Sequence, residues 1–437
     1  MGHGFDAREM ALLMREARAR TRELFDTVIS ESDLRRPPSE GFRPLLWHLG
    51  HIGAFESYWL AQKVKGGPSF SERYDAIFDP IKTPREDSSN LPPIPEIESY
   101  LDRVREESLA CLAGADPDDP SPLLRGGYVF YMVLEHEYQH QETICYLLQM
   151  LSPELKRRPE RARKVPDDGG RVHKAGMIHV ERGPFEMGSR GYPFAYDNEQ
   201  PPRPVEVGDF LIDTYPVTNA EYSRFIDEGG YSDRSLWSDE GWAWKEDAGV
   251  EQPLYWTKLT KAEGAGWRAR EMFEERPLRA SLPVTGVSWY EAEAYARSVG
   301  KRLPSEAEWE KAATWDPREG RKRRFSWGDE PPHAGLANFD NNLWEPSPVS
   351  AFPEGQSAYG CFDMSGNVWE WTSSVFGAYP GFEAFPYPEY SELWFDGDHR
   401  VLKGGSWTTR APLLRGSFRN FFRPRFRAAF AGFRCAL

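Results

Sequence analysis

The residues best suited to a chemical role are histidines spaced to share one side of a helix. His136 and His140 stand four residues apart in the segment LEHEYQHQET. On a helix, two such side chains lie about 40° apart around the axis, so both imidazoles can reach one cation. A second pair, His48 and His51, is the natural source of a third ligand. Neutral imidazoles suit zinc, copper, iron or nickel rather than calcium or magnesium.

The residues alone leave a second interpretation open. Histidines at helical spacing also occur as hydrogen-bonded core side chains, and a motif is a hypothesis until its structural context is known. The second pair, His48 and His51, favours the metal site. Glu142 adds a nearby carboxylate, which would lie roughly 120° around the helix from His136.

Four helices are predicted to position these histidines, and the second and fourth of them carry the two pairs. Four helices fit a four-helix bundle, whose core often holds metals between facing helices. The connection 66–93 is long for a bundle, which suggests function or partial disorder. The predicted helices span residues 7–30, 43–65, 94–113 and 124–151.

The composition limits the class of protein. A chain of 437 residues exceeds one ordinary core, so two or three domains are expected. The net charge of −14 argues against nucleic acid or an anionic membrane as a main partner. No apolar run approaches the roughly 18 residues of a membrane span, and the charged start lacks a secretory signal. Four scattered cysteines without CxxC spacing predict reduced thiols in a cytoplasmic protein.

The composition and the hydrophobic pattern of the chain change after a charged linker. We assign residues 1–155 to the helical bundle, 156–176 to the linker and 177–437 to a second domain. The second domain has short β-type runs, many glycines and tryptophan-rich turns, which predicts an α+β domain with much irregular structure. Helices are predicted there only at 292–299 and 306–313.

Both halves carry a family resemblance. The order and spacing of the motifs in residues 176–437 resemble the formylglycine-generating enzyme/sulfatase-modifying family, which implies a modified C-type-lectin-like fold. The first half resembles the DinB-like bundle through HLGHIGAFE and HEYQHQE. The motifs of the second half are FEMGS (185–189), YPVTNAEYSRFI (215–226), the run 282–313, GCFDMSGNVWEWTSS (360–374), RVLKGGSW (400–407) and AGFRCA (431–436).

Together, in this order, the halves resemble the ergothioneine-type sulfoxide synthases. These are non-haem iron enzymes that use O2 to join a thiol to the imidazole of trimethylhistidine (hercynine). The resemblance implies Fe(II) held by His51, His136 and His140, with His48 in a structural or supporting role. It leaves open positions on the metal for substrates. Glu142 becomes a candidate to orient a ligand imidazole.

The resemblance also implies residues for the imidazole substrate. Gln139 matches a glutamine that bonds the substrate imidazole, although by itself it could face solvent. Asn420, Phe421 and Phe422 match the segment that holds the trimethylammonium and carboxylate groups. Aromatic faces suit a quaternary ammonium because the ring quadrupole attracts a cation. By composition alone the two phenylalanines would be strand core.

A tyrosine that delivers a proton or an electron during oxygen reduction is expected in the segment GFEAFPYPEYSE. The resemblance makes Tyr387 the first choice for this role and Tyr390 the second. The same Pro-Tyr-Pro-Glu-Tyr segment could equally form a surface turn.

Two departures from the related families restrict the function. No cysteine lies between Cys361 and Cys435, whereas formylglycine-generating enzymes need a cysteine pair for copper in this region. The loop 66–93 lacks a recognisable thiol-binding motif, so Arg85, with Lys82 and Tyr74, is only a candidate for gripping the thiol substrate. The donor, whether cysteine, γ-glutamylcysteine or a selenium compound, and the imidazole acceptor stay open.

Three alternatives compete with the sulfoxide synthase. The chain could be a related iron enzyme with a different donor or acceptor. It could be a non-catalytic metal- or ligand-binding module, or a zinc hydrolase or thiol transferase built on the bundle histidines. Calcium is a further candidate cofactor, held by oxygen atoms near residues 338–340 and Asn367, which are also ordinary turn residues. The oligomeric state is open.

Overall fold

The chain forms two compact units by its internal contacts, Met1–Pro159 and Glu160–Leu437, here called the N-terminal and C-terminal units. The computed structural model describes residues 5–85, 88, 90–166, 176–191, 193–260, 262 and 264–437. Part of the predicted linker, residues 167–175, lies outside the described residues. In the described part of the chain, every helix is too short or too polar to cross a bilayer.

Four long helices build the described part of the N-terminal unit, as the sequence predicts. Asp6 starts the first helix by accepting hydrogen bonds from the main-chain N–H groups of Arg8 and Glu9. Pro95 lies in the first turn of the third long helix, where its missing N–H costs nothing. The helices are α1 (Ala7–Asp26), α2 (Glu31–Arg35), α3 (Leu45–Glu56), continued by a π-helix (Ser57–Val64), α4 (Glu72–Ile77), α5 (Ile94–Ala113) and α6 (Tyr128–Met150).

A buried network of four charges ties the long helices together. Each helix contributes one member: Arg18 from α1, Glu56 from α3, Arg105 from α5 and Glu137 from α6. Each arginine contacts both carboxylates at 2.7–2.9 Å. Sliding one helix would leave an uncompensated charge in the interior, which is strongly destabilising. The network therefore fixes the register of the helices that carry the histidines.

In its described residues, the C-terminal unit combines four α-helices with several small sheets. The helices are α7 (Asn219–Asp227), α8 (Asp239–Asp247), α9 (Trp289–Ser298) and α10 (Glu306–Thr314). The strands are β1 (Met177–Val180), β2 (Gly183–Met187), β3 (Arg203–Val207), β4 (Phe210–Asp213), β5 (Trp256–Leu259), β6 (Gly266–Arg270), β7 (Glu275–Pro277), β8 (Trp315–Asp316), β9 (Arg321–Lys322), β10 (Trp369–Val375), β11 (Arg400–Lys403), β12 (Asn420–Phe422) and β13 (Ala431–Gly432).

The largest sheet has the strand order β12-β11-β10-β13 and places the segment Asn420–Phe422 at its edge. Strand β10 pairs antiparallel with β11 and parallel with β13. Behind the sheet, the buried Glu370 carboxylate accepts hydrogen bonds from Arg434 at 2.6 Å and from the Trp309 indole at 2.7 Å. Because these buried polar groups are mutually satisfied, they can lie in a tryptophan-rich core.

The prediction that residues 292–299 and 306–313 are the only helices of this domain is wrong, because α7 and α8 are also present. Helix α7 begins with a capping box in which Thr218 and Glu221 bond each other's main-chain N–H groups. That Thr-x-x-Glu pattern is a local signal that could have revealed the helix. Helix α8 is short and mixed in polarity, so its periodicity is weak.

Candidate metal centre

Three histidines predicted as metal ligands lie together in the N-terminal unit. His51 comes from α3, and His136 and His140 come from successive turns of α6. Each offers a ring nitrogen, and these atoms all lie within 4.8 Å of one another. The ring centroids are separated by 4.5–5.1 Å. Two helices thus bring three nitrogen donors to one point, as a first-row transition metal requires.

Burial keeps these imidazoles uncharged. It lowers the pKa of His51 to about 4, against the smaller opposing effect of a hydrogen bond to the Phe78 carbonyl. Burial, reinforced by the neighbouring imidazoles, holds the pKa of His136 and of His140 well below the usual value. A metal ligand must be unprotonated, so the three side chains are in the form that binds a cation at neutral pH. A divalent transition metal therefore fits the residues present.

The surroundings of His51 fix its ring. Its Nδ1 lies 2.7 Å from the Phe78 carbonyl oxygen. A carbonyl only accepts hydrogen bonds, so Nδ1 carries the proton and Nε2 is left for a metal. The Trp47 indole stacks on the His51 ring at 4.7 Å, and it donates to the Ile77 carbonyl. The C-terminal end of α4, at Ile77 and Phe78, therefore supports both rings.

His136 is held by stacking on Phe55, with ring centroids 3.6 Å apart and planes 9° apart. Sequence reasoning missed Phe55 and Trp47. Both stand four residues from His51 on α3, so the recurrence at 47, 51 and 55 was a usable signal for one helix face.

Gln139 faces the same side of α6 as the histidines. His136, Gln139 and His140 are half-buried, whereas residues 132–135 and 141–142 are buried. The half-open positions lie three and four residues apart, which places them on one helix face. Gln139 therefore lies on the helix face where a substrate bound at the metal centre would contact it. Its role in substrate binding stays a prediction. The assignment of Glu142, which is buried, to ligand orientation also stays a prediction.

The three residues of the 66–93 connection considered for binding the thiol substrate differ in their surroundings. Tyr74 is buried, and its hydroxyl donates to Glu96 at 3.4 Å, so it serves the packing of the bundle. Lys82 is exposed beside Asp79. Arg85 is exposed and donates to the Gly41 carbonyl at 2.9 Å. After burial and His51, the charges of Arg43 and Arg85 contribute to lowering the pKa of His48 to about 3. The charge of Arg85 thus acts on His48, which lies beside the three clustered histidines.

Gly50 lets the segment carrying Phe78 approach α3. A Cβ atom at Gly50 would lie 2.1 Å from the Phe78 ring, which is fully buried. We expect Gly50→Ala to destabilise the N-terminal unit by about 1–3 kcal/mol, as overpacking does. It should also weaken metal binding, because the Phe78 carbonyl that supports His51 must move. Thermal unfolding of the metal-free protein and a metal titration measure both effects.

Gly114→Ala is the matched control, because its Cβ would meet only the Cys111 carbonyl oxygen at 3.8 Å, an ordinary contact. It should leave both quantities close to those of the parent. An increase in stability for Gly50→Ala would mean that the higher helix propensity of alanine outweighs the contact.

The tyrosine segment of the C-terminal unit packs against, and hydrogen-bonds to, a turn that is distant in sequence. The Tyr390 ring stacks on Tyr196 at 4.3 Å, and the Tyr387 ring lies 6.2 Å from Tyr390. Ser391 donates to the Asp197 carboxylate at 2.5 Å. Burial, with smaller contributions from Asp197 and Glu389, raises the pKa of Tyr387 above its usual value. Sequence reasoning missed Asp197, since nothing local marks it.

An aromatic cluster surrounds Phe421 on the edge strand β12. Phe421 stacks on Phe376 at 4.0 Å and lies about 6 Å from Trp394 and from His399. Trp394 belongs to the 3-10 turn at the end of the tyrosine segment, so the predicted catalytic segment and the predicted substrate-binding strand of this unit meet there. Phe422 points to the opposite face of the strand.

Asn420 and Phe422 have local partners. The Asn420 side-chain oxygen accepts the Phe421 main-chain N–H at 2.9 Å. Phe422 stacks on Phe426 at 4.4 Å. The structure thus places Phe421 within an aromatic cluster and Phe422 outside it. Substrate binding by all three strand residues stays a prediction.

The residues considered for calcium take part in turn contacts. The Asn367 side chain bonds both main-chain groups of Ser347, at 2.9 and 3.1 Å. Asp340 forms an ion pair with Arg410 at 3.1 Å. The Asn338 amide nitrogen donates to the Glu345 carbonyl. These contacts are those expected of turn residues, and calcium binding stays a prediction.

Comparison with known proteins identifies both units. Residues 13–144 match the DinB superfamily, and residues 162–437 match the sulfatase-modifying factor enzyme 1-like domain. The hercynine oxygenase of Mycolicibacterium smegmatis is 39% identical over 433 residues, covering 96% of this chain and 97% of the relative. This chain belongs to the hercynine oxygenase family. The match confirms the two-domain α+β architecture and the family predicted from the motifs.

Other members of the hercynine oxygenase family match over the same extent. The enzyme of Mycolicibacterium thermoresistibile is 40% identical over 442 residues, covering 98% of this chain and 94% of the relative. The enzyme of Mycobacterium tuberculosis is 39% identical over 439 residues, covering 98% of each chain. The likeness therefore extends over both domains in the same order, rather than over one shared module.

Proposed function

We propose that this chain is an iron(II)-dependent oxygenase of hercynine, which joins a thiol to the hercynine imidazole as a sulfoxide in ergothioneine biosynthesis. The observation that carries the proposal is the match to hercynine oxygenases over nearly the whole chain, together with three clustered, uncharged histidines. The reaction balances as thiol plus imidazole C–H plus O2, giving the sulfoxide and one water. The four electrons that O2 takes up come from forming the C–S and S–O bonds.

His51, His136 and His140 would hold the metal. Three protein ligands leave open positions for substrates, which an oxygen-activating site needs and a closed structural zinc site lacks. When bound, iron(II) supplies the binding and reduction of O2, for which amino-acid side chains have no group. The protein contributes positioning and control of charge and protons around that centre.

Residues of each unit are assigned substrate-binding roles, an imidazole contact in the N-terminal unit and a trimethylammonium contact in the C-terminal unit. Gln139, on the histidine face of α6, has both a donor and an acceptor and so can bond the substrate imidazole. Phe421, with the rings around it, offers aromatic faces to a quaternary ammonium, which donates no hydrogen bond. Asn420 is assigned to the substrate carboxylate, and Phe422 is a weaker candidate because it faces away from the Phe421 cluster.

Tyr387 is assigned to proton delivery. Burial raises its pKa, so its hydroxyl stays protonated at neutral pH and can donate a proton as oxygen is reduced. We expect Tyr387→Phe to lower kcat by roughly 10²–10⁴-fold, the usual range for loss of a proton donor, with a much smaller change in KM. Tyr390→Phe keeps the stacking on Tyr196 and should change kcat little. The reverse pattern in steady-state assays would transfer the role to Tyr390.

The sulfur donor is the least constrained part of the proposal. The charge of Arg85 acts on His48, and Arg85 is the candidate to bind a donor carboxylate. Cysteine and γ-glutamylcysteine are the first candidates, and a selenium compound is the alternative. The four cysteines are free thiols, which supports the predicted cytoplasmic location.

The test is a reconstitution in which only the substrates vary. The full chain is prepared without oxygen, loaded with Fe(II), and given hercynine with each candidate donor before O2 is admitted. We expect O2 uptake with one donor and a product heavier than the two joined substrates by one oxygen atom, measured by mass spectrometry. Zinc-loaded protein is the matched control and should consume no O2.

Two outcomes would contradict the proposal in different ways. Stoichiometric iron binding without O2 uptake for any pair would reject the substrates and leave the metal centre standing. Turnover by the zinc form in the absence of O2 would favour the zinc hydrolase or transferase.

A further inference from the structure

His48 is a buried histidine beside the ligand group but outside it. It is 8% exposed, and its Nδ1 lies 3.1 Å from Nδ1 of His140. The three histidines that share a common point are His51, His136 and His140, and His48 is not among them. His48 therefore contacts one member of the cluster without completing it.

The chemistry of the two rings fixes the direction of this hydrogen bond. A neutral imidazole has one N–H donor and one unprotonated acceptor nitrogen. Of the two Nδ1 atoms that face each other, one must therefore donate and the other accept. If His140 accepted at Nδ1, its proton would be on Nε2, and no nitrogen of that ring would be left to bind a metal. A ligating His140 must donate from Nδ1, which leaves Nε2 for the metal.

We propose that His48 is a positioning residue for the metal centre, which accepts the Nδ1 proton of His140 and so holds His140 as an Nε2 ligand. The inference rests on the proposed metal site. A ligand histidine commonly donates its second N–H to a carboxylate, a carbonyl or water, and here an imidazole takes that place. The Phe78 carbonyl likewise accepts the Nδ1 proton of His51, which lies three residues along α3.

This arrangement makes one turn of α3 serve two ligands. His51 is itself a ligand, and His48 orients the ligand on α6. The Trp47 ring meets the His48 ring edge-on at 5.2 Å and stacks on the His51 ring at 4.7 Å, so it restrains both. The acceptors that the structure shows for His51 and His140 are both uncharged. The support of these two ligands therefore adds no negative charge that would compete with an anionic donor such as a thiolate.

The test compares two substitutions at this position in the full chain. His48→Leu removes the acceptor, whereas His48→Asn keeps an uncharged oxygen near the position of the Nδ1 atom. The dissociation constants for Fe(II) and Co(II) are measured without substrate, by competition with a chelator. We expect His48→Leu to weaken binding by roughly 10–100-fold, as loss of a ligand's hydrogen-bond partner usually does, and His48→Asn to restore most of it.

The visible spectrum of the Co(II) form should change for His48→Leu and resemble the parent for His48→Asn. His179→Leu, at an exposed histidine of the C-terminal unit, is the control and should bind metal like the parent. Parental affinity in His48→Leu would overturn the inference. Equal losses in both variants, matched by equal losses of thermal stability in the metal-free protein, would also overturn it, since packing alone would then explain them.

The outcome is separable from that of the proposed function, because no substrate is present. A parent chain that binds metal but does not oxidise hercynine leaves the inference standing. A parent chain that binds neither Fe(II) nor Co(II) overturns it together with the metal site.

Discussion

Replacing His136 by alanine is expected to abolish stoichiometric metal binding and O2 consumption together. Three nitrogen donors meet within 4.8 Å, and the change leaves two of them. Since loss of a ligand's outer partner alone costs 10–100-fold in affinity, loss of the ligand itself should cost more than about 100-fold. Metal content after dialysis and a chelator competition measure the loss, and O2 uptake with hercynine measures its consequence.

The fold should tolerate this change. His136 is half-buried at the open face of α6, and its main contact besides the cluster is the stack on Phe55. The melting temperature of the metal-free protein should therefore move little. His333→Ala, at an exposed histidine of the C-terminal unit, serves as the control and should retain full metal content. A His136→Ala protein with unchanged metal content would place the metal elsewhere.

The largest effect on stability is expected at Glu310 in the C-terminal unit. Its carboxylate lies 2.6 Å from Lys322 and 3.0 Å from Lys403, and it accepts the Gly188 N–H at 2.8 Å. Glu310 and Lys403 are fully buried. Glu310→Gln keeps the shape but leaves Lys322 without its carboxylate partner and Lys403 with only the more distant Glu306 at 3.8 Å. We expect a loss of about 3–5 kcal/mol in the free energy of unfolding, as for other broken buried pairs.

The same residue predicts an acid sensitivity. Burial alone would raise the pKa of Glu310, but Lys322 and Lys403 outweigh it and lower the pKa to about 2 from the usual 4.5. Because the folded-state pKa is the lower one, this stabilisation is complete above about pH 4.5 and is lost as the pH falls towards 2. The linkage amounts to about 3 kcal/mol.

Denaturant unfolding between pH 2.5 and 7 tests both statements. The parent should lose this increment on acidification, and Glu310→Gln should lack it. Glu319→Gln is the control, because its ion pair with Arg321 is exposed and should contribute less than about 1 kcal/mol. Identical pH profiles for the parent and Glu310→Gln would show that Glu310 is not charged in the folded protein.

Patterns that act over a few residues were readable from the sequence. Apolar periodicity located the four long helices of the bundle to within a few residues, except that the first ends at Asp26 rather than near residue 30. Spacing put His136 and His140 on one helix face, and motif order identified the family. The two missed helices, α7 and α8, are short. The apolar periodicity of α8 is weak, whereas α7 is amphipathic and carries a Thr-x-x-Glu cap, so its sequence did contain readable signals.

Contacts between distant segments could not be read in this way. The Phe78 carbonyl that bonds His51 depends on the path of the 66–93 connection and on the absence of a side chain at Gly50. The hydrogen bond from Ser391 to Asp197 joins positions 194 residues apart. In neither case does the local sequence around one residue indicate its distant partner.

The sequence by itself determined which residues could hold the metal and which family the chain belongs to, because both are written in residue types at short, fixed spacings. Only the tertiary structure decided how these residues are supported. It paired His48 with His140 and matched two arginines to two glutamates across four helices. The physical reason is that ligand type and helical phase are local properties. Hydrogen-bond direction, burial and charge compensation depend instead on the partners that the folded chain brings together.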